Sequence, residues 1–239
     1  MLADIHGNAW ALKAVLDDVE RHRPDGYVLL GDLLADGPDP VGTLALLQGL
    51  PNATFVQGNT DRYLGDLGQV VSPRSGLPDL IATWQWAVDL LGDEGCRTLA
   101  NLPTDVLLET PAGPVLAVHG VPGDDEDWIE PDHAAKMERL DWRGARVLLL
   151  GHSHIPFVLH GAMGTAINPG SVGISPQTGW RASYALLDLF AGGQIAVQHV
   201  QVEWDVAAYV AAFEGGIPIN RKATPMLKVL RQITAHLKA

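Results

Sequence analysis

The sequence predicts an α/β fold, and three features of it carry that prediction. Through the first quarter of the chain, short apolar runs alternate with helical patterns, as they do where crossover helices join the strands of a parallel sheet. Five apolar runs end in short motifs of Asp, His, Asn and Gly. The second half changes to short β-prone runs between turn residues, which reads as antiparallel strands.

Residues 1–3 lead directly into Asp4-Ile5-His6-Gly7-Asn8. A helix follows, with Trp10, Leu12, Val15, Leu16 and Val19 on its apolar face. Pro24-Asp25-Gly26 makes a turn, and residues 27–30 read as a buried strand ending at Gly31-Asp32. A helix near 41–48 precedes a strand over 54–57, which ends at Gly58-Asn59-Thr60-Asp61. Residues 68–103 interrupt the alternation: Pro73 and Pro78 bracket a loop, and helices are predicted over 80–91 and 94–102. Strands resume at 106–109 and 115–118, the second ending at His119-Gly120. The acidic stretch 124–127 reads as a solvated loop, and a short helix near 133–140 follows it. An apolar strand over 147–150 then ends at Gly151-His152-Ser153-His154. Runs at 157–160, 165–167, 184–188 and 195–202 read as antiparallel strands. Residues 224–237 form an amphipathic helix with Leu227, Leu230, Ile233 and Leu237 on one side. Its basic surroundings, Arg221, Lys222, Lys228, Arg231 and Lys238, read as the polar face of a docked helix. No repeat or linker divides the chain, so one domain is expected over 1–239, with a helical insertion at about 68–103. Parallel strands usually run about 5–6 residues. Only three residues precede Asp4, so the sequence predicts either an earlier natural start or a frayed first strand with a weakened site at Asp4 and His6.

Hydrophobic residues make up 47% of the chain and charged ones 18%, the balance of a globular protein with a substantial core. The single cysteine, Cys96, cannot form an intrachain disulfide, so a reducing compartment is allowed. No apolar stretch approaches the roughly 20 residues that span a bilayer, and the first residues lack a signal-peptide pattern. No membrane partner and a cytoplasmic location are therefore expected. The net charge of −12 weighs against long nucleic acid as a partner. It does not forbid a small anionic substrate, because a metal site can be locally positive inside an acidic protein.

The five motifs carry the chemistry. Ligands of parallel α/β sheets bind beyond the carboxyl ends of the strands. If the five strands share one sheet, Asp4, His6, Asp32, Asn59, His119, His152 and His154 converge there. His152 and His154 are one residue apart, so in extended chain they point to the same face, which suggests a shared metal. Taken alone, a polar strand end with two solvated histidines is an equal reading. Seven N and O groups gathered together are costly unless a cation neutralises them. A set of His, carboxylate and amide without thiolate suits Mn²⁺, Fe or Zn²⁺. His22, His133, His160, His199 and His236 lie outside the motifs and read as structural or solvated.

In this order, D-I-H, G-D, G-N-T-D, H-G and G-H-S-H resemble the motifs of the calcineurin-like metallophosphoesterases, in particular their small bacterial and archaeal phosphodiesterase-like branch. Gly37-Pro38, the N-P-G-S-V-G stretch at 168–173 and Ser183-Tyr184 extend the resemblance over nearly the whole chain. The resemblance implies a four-layer α/β/β/α sandwich of two mixed sheets, with the metal site at the strand carboxyl ends. It implies that Asp4, His6, Asp32 and His154 hold one divalent ion. Asp32 (bridging), Asn59, His119 and His152 would hold a second. Asp4, His6, Asp32, Asn59 and His119 form the catalytic set on this reading. Mn²⁺ is foremost for the two ions, with Fe, Zn, Ni or Mg as alternatives. Two such ions about 3.5–4 Å apart generate hydroxide at neutral pH and clamp phosphoryl oxygens during in-line attack.

Two departures narrow the expectation. Thr60 stands where the related serine/threonine phosphatases carry the histidine of G-N-H-E. Asp36 stands where they carry a phosphate-binding arginine, and a carboxylate there repels a phosphate dianion. Phosphodiesters or nucleotides are therefore the expected substrates. Asn8 and Arg62 are candidate substrate contacts, an ion pair with a nearby carboxylate being the equal alternative for Arg62. Trp84, Trp86 and Trp128 read as packing residues, base stacking by Trp128 being the lesser alternative. The sequence thus predicts a dinuclear metal-dependent phosphoesterase for a small phosphorylated substrate, with a homo-oligomer allowed. A dinucleoside polyphosphate hydrolase and a non-catalytic scaffold of the same fold are the alternatives.

Overall fold

The computed structural model describes residues 1–70, 78–215 and 223–236. Pro73, and Arg221, Lys222, Leu237 and Lys238 of the basic tail, lie outside the described residues. The chain runs α1 (Ala9–Val19), β1 (Tyr27–Leu30), α2 (Pro40–Gln48), β2 (Ala53–Val56), α3 (Asn59–Gly65) and α4 (Pro78–Ala100). It continues through β3 (Asp105–Thr110), β4 (Gly113–Val118), α5 (Ala134–Met137), β5 (Val147–Leu149), β6 (Phe157–His160) and β7 (Thr165–Asn168). The hairpin β8 (Ala182–Leu189) and β9 (Ile195–Val202) precedes α6 (Val206–Glu214) and α7 (Ala223–His236).

Local signals start the helices where the sequence places them. The Asn8 side chain accepts from Ala11 N at the start of α1, and Asp39 accepts from Gly42 N at the start of α2, with Pro40 in the first turn. The two helices of the insertion form α4, broken at Gly92 where the backbone turns left-handed (φ 62°). The short α3 and the Ala/Val-rich α6 are additional to the elements read from the sequence. No helix among the described residues is long and apolar enough to cross a membrane.

The architecture is a mixed α/β one, with a central mixed sheet flanked by helices. Its five-stranded sheet has the order β3-β4-β5-β7-β6, parallel in the middle and antiparallel at both edges. β1 and β2 pair in parallel apart from it. The five motif-bearing segments therefore do not share one sheet, the condition under which the parallel reading alone brought them together. Residues 1–4 run beside β1, whereas β4 and β5 belong to the five-stranded sheet. An apolar cluster joins the two groups: Ala3, Leu30 and Val56 from one side, Val115, Ala117, Val147, Leu149 and Ile167 from the other. Successive strand residues point to opposite faces. Accordingly Leu29 packs instead with Leu12 and Val15 of α1 and Trp84 of α4, and Leu116 and Leu148 pack with Met137 and Trp142. Packing of the sheets across this cluster brings their strand ends together.

Residues 1–4 are tied on both sides rather than frayed. Leu2 N donates to Val28 O (2.9 Å) and Asp4 N to Gly31 O (3.0 Å), while Val172 N donates to Ala3 O (3.0 Å) and Ala185 N to Met1 O (3.1 Å). The partners on the second side, Val172 and Ala185, lie far along the sequence.

Candidate metal centre

Five of the seven motif side chains leave the backbone in the left-handed region: Asp4 (φ 54°), His6 (49°), Asp32 (54°), His152 (65°) and His154 (60°). Such a conformation costs a non-glycine residue about 1 kcal/mol or more and persists only where the surroundings impose it. Here cross-segment hydrogen bonds impose it. His6 N donates to Asp32 O (2.9 Å) and Gly7 N to Leu33 O (3.0 Å), so the first two motifs turn together. Gly31 has no room for a side chain: a Cβ there would lie 2.5 Å from Gly58 N and 2.8 Å from His119 Nδ1.

The structure brings all seven candidate ligands together in two groups. In the first, His154 Nε2 is 3.2 Å from His6 Nε2 and 3.4 Å from Asp4 Oδ1. In the second, His119 Nε2 is 3.1 Å from His152 Nδ1 and 3.5 Å from Asp32 Oδ1, and Asn59 Oδ1 lies 3.1 Å from both ring nitrogens. Asp32 lies between the groups, its other oxygen 3.7 Å from His6 Nε2. Each group of three His and Asp ligand atoms falls within 4.8 Å.

The donor set fits divalent cations. His119 Nδ1 donates to Leu30 O (2.6 Å) and His154 Nδ1 to Ile174 O (2.7 Å), so in the neutral rings both Nε2 lone pairs face inward. They meet carboxylate and amide oxygens there, and such an arrangement of lone pairs calls for a shared positive charge. Electrostatics agree. Burial opposes ionisation of Asp32, yet His119, His6, His152 and the Thr60 N–H hold its carboxyl well below the usual range. Burial likewise opposes ionisation of Asp4, and His154 outweighs it. Burial lowers the pKa of His6 and His152. In His119 and His154 the carboxylates of Asp32 and Asp4 outweigh burial and raise it. Asp61 behaves oppositely to Asp32: burial, then the charge of Asp32, pushes it up to about 7. It accepts from Gly58 N and Leu33 N and so fastens the second motif to the third.

A second ring of groups braces the ligands. His152 N donates to both oxygens of Asp4 (3.2 and 3.1 Å) and Thr60 N to Asp32 Oδ1 (2.9 Å). Ser171 Oγ donates to Asp4 O, and Asn168 Nδ2 to Gly151 O. These two braces are roles the motif readings did not assign, although the N-P-G-S-V-G stretch was the signal for them. His199, outside the motifs, donates to Asn168 O.

The two candidate substrate contacts have other partners. Asn8 is buried, caps α1 with Oδ1 and donates Nδ2 to Gly173 O (3.2 Å). Arg62 pairs with both oxygens of Asp125 (2.8 and 2.9 Å) and with Glu126 (3.1 Å), the ion-pair alternative of the sequence reading. The acidic loop 124–127 is accordingly latched rather than freely solvated, since Tyr63 also donates to Glu126 and Lys136 to Asp127. The latch holds Trp128, whose ring lies 5.8 Å from that of His152. Trp84 is buried and donates to Asp36 Oδ1 (2.9 Å).

Two candidate metal-ligand groups of N and O donors thus stand where the ends of β1 and β2 meet those of the five-stranded mixed sheet. Residues 1–192 match the family model described as the calcineurin-like phosphoesterase superfamily domain, and the chain belongs to that family. Over 237 residues it is 29% identical to an uncharacterized protein of Methanocaldococcus jannaschii, covering 91% of this chain and 93% of that one. Among solved structures it is similar to a hypothetical protein from Pyrococcus horikoshii OT3, at a TM-score of 0.80 and 22% identity over 96% of this chain and 95% of the other. It is also similar to a metallophosphoesterase from Sphaerobacter thermophilus, at a TM-score of 0.73 and 25% identity over 96% of this chain and 97% of the other.

Proposed function

We propose that the protein is a dinuclear metal-dependent phosphoesterase that hydrolyses phosphodiesters or nucleotides. The observation that carries this is the place of Asp32, with one oxygen 3.5 Å from His119 Nε2 and the other 3.7 Å from His6 Nε2. One carboxylate then serves both ligand groups. Asp4, His6, Asp32 and His154 would hold one ion, and Asp32, Asn59, His119 and His152 the other. Two divalent ions would supply Lewis acidity toward phosphoryl oxygens and a more acidic water. The chain's own part is to hold the ligands in one protonation state and to orient the substrate. His119 and His154 keep their protons on Nδ1, donated to Leu30 O and Ile174 O, which leaves Nε2 free to ligate.

The surroundings favour a substrate with little charge at phosphorus. Arg62 is engaged by Asp125 and Glu126, so its charge is already offset by carboxylates. A phosphate dianion meets more negative charge here than a diester does. Trp128 beside His152 supports a flat leaving group such as a nucleobase or aryl ring. The test is metal content by mass spectrometry, paired with hydrolysis of bis(p-nitrophenyl) phosphate with and without Mn²⁺. Two ions per chain and turnover that requires metal are expected. Empty sites and no turnover after Mn²⁺ loading would overturn the proposal and leave a scaffold of the same fold.

A further inference from the structure

The three histidines whose Nε2 atoms face the candidate metal groups are not braced alike. His119 and His154 each give their Nδ1 proton to a backbone carbonyl. His6 does not: its Nδ1 is buried and has no hydrogen-bond partner. Asp36 Oδ2 stands 3.7 Å away from it. The other oxygen of Asp36 accepts from Trp84 Nε1 at 2.9 Å. Trp84 is itself fixed, only 2% exposed and stacked on Tyr63 with ring centroids 5.1 Å apart.

The loop that carries Asp36 is locked against His6. A Cβ on Gly37 would lie 1.9 Å from His6 O, and Asp39 N donates to Gly7 O (3.0 Å). Asp36 also sits at φ 72°, a backbone conformation that favours glycine. A carboxylate is thus held against its backbone preference, beside the one fully buried imidazole nitrogen without a hydrogen-bond partner among the described residues. A neutral imidazole carries one N–H. On Nε2 that proton would point at His154 and Asp32 and block ligation. On Nδ1 it points toward Asp36 and leaves Nε2 open. Ligating histidines commonly hand their second N–H to a carboxylate, and losing that partner typically costs 10–100-fold in metal affinity. At 3.7 Å the pair is not yet a hydrogen bond, and a closing of about 0.8 Å makes it one. Such contacts often tighten only in the liganded site.

We propose that Asp36, held by Trp84, is a positioning residue that keeps His6 in its Nδ1–H form, so that helix α4 sets the affinity of the Asp4/His6/His154 group for a divalent ion. This rests on the metal-dependent reading above. It assigns Asp36 a place behind the ligand, where the sequence reading had it facing the phosphate.

The test uses three variants of the full chain: Asp36→Asn, Asp36→Gly and Trp84→Phe. The last keeps the stacked ring and removes only the indole donor. Mn²⁺ alone is titrated by calorimetry, and the tautomer of His6 is read in the metal-free protein from its ring ¹⁵N shifts. One of two Mn²⁺ sites should weaken about 10–100-fold in both Asp36 variants and several-fold in Trp84→Phe. The His6 shifts should move away from the Nδ1–H pattern in the Asp36 variants. Asp36→Gly separates positioning from mere structure, because relief of the left-handed backbone offsets the lost Trp84 hydrogen bond: thermal stability should change little while Mn²⁺ affinity falls. Folded variants with wild-type affinity at both sites and an unchanged His6 tautomer would overturn the proposal. If the wild-type chain binds no Mn²⁺, the metal reading fails, and the ¹⁵N shifts still decide the pairing of Asp36 with His6.

Discussion

Replacing Gly31 by alanine tests how closely the strand ends are packed behind the site. Gly31 has φ +82°, and a Cβ would fall 2.5 Å from Gly58 N, 2.6 Å from Gly58 Cα and 2.8 Å from His119 Nδ1. The left-handed backbone costs alanine about 1–2 kcal/mol, and the overlap adds about 1–3 kcal/mol, since the atoms met are mostly backbone. A loss of about 2–5 kcal/mol lowers Tm by roughly 4–20 °C in a chain of this size. Gly144 supplies the control. Its φ is +81° and a Cβ there meets nothing within 4 Å, so Gly144→Ala carries the backbone term alone. Calorimetric melts of both variants, with Mn²⁺ titrations, are the assay. Gly31→Ala should melt well below Gly144→Ala and lose Mn²⁺ affinity, because His119 or the third motif must move. Equal melting points with intact Mn²⁺ binding in both would refute the claim that this contact positions the site.

Two further outcomes follow from the same geometry. Trp128→Leu should raise KM for bis(p-nitrophenyl) phosphate several-fold more than for a dialkyl phosphate of equal charge, because only the aryl ester can use the ring beside His152; equal changes would remove Trp128 from substrate recognition. Asp61 titrates near 7 in the fold, against about 3.9 in the unfolded chain. The folded state therefore holds the extra proton between those values, and stability falls as pH rises through that window. Metal-free Asp61→Asn should accordingly lose less Tm than the wild-type chain between pH 5 and pH 8, as read by thermal melts. A parallel decline in both would show that Asp61 ionises freely.

The candidate ligand set was legible because it is written in short motifs, each at the end of an apolar run. Its arrangement in space was less so. A strand buried on both faces reads as one continuous apolar run, so nothing in residues 27–30 says that Leu29 faces helices while Leu30 faces a second sheet. The same ambiguity hid that β1 and β5 lie in different sheets. Residues 1–4 looked too short to hold because their second set of partners comes from Val172 and Ala185. Arg62 found its carboxylates more than 60 residues away, beyond the reach of any local pattern. Asp36 departs from the arginine of related phosphatases in the sequence itself, but its direction depends on a φ of 72° and on Trp84 in a distant helix.

The left-handed backbone of five candidate ligands has a consequence for anyone who redesigns this fold. A procedure that chooses each residue to suit its backbone would prefer glycine at positions 4, 6, 32, 152 and 154. The resulting chain should gain thermal robustness and lose every imidazole and carboxylate of the site except His119. Durability and chemistry compete here at single positions. Left-handed side chains also occur at Arg23, Asn52, Arg143 and Trp180, so the exchange of one for the other shows itself in the gathering of five such residues at one place rather than in the mismatch alone.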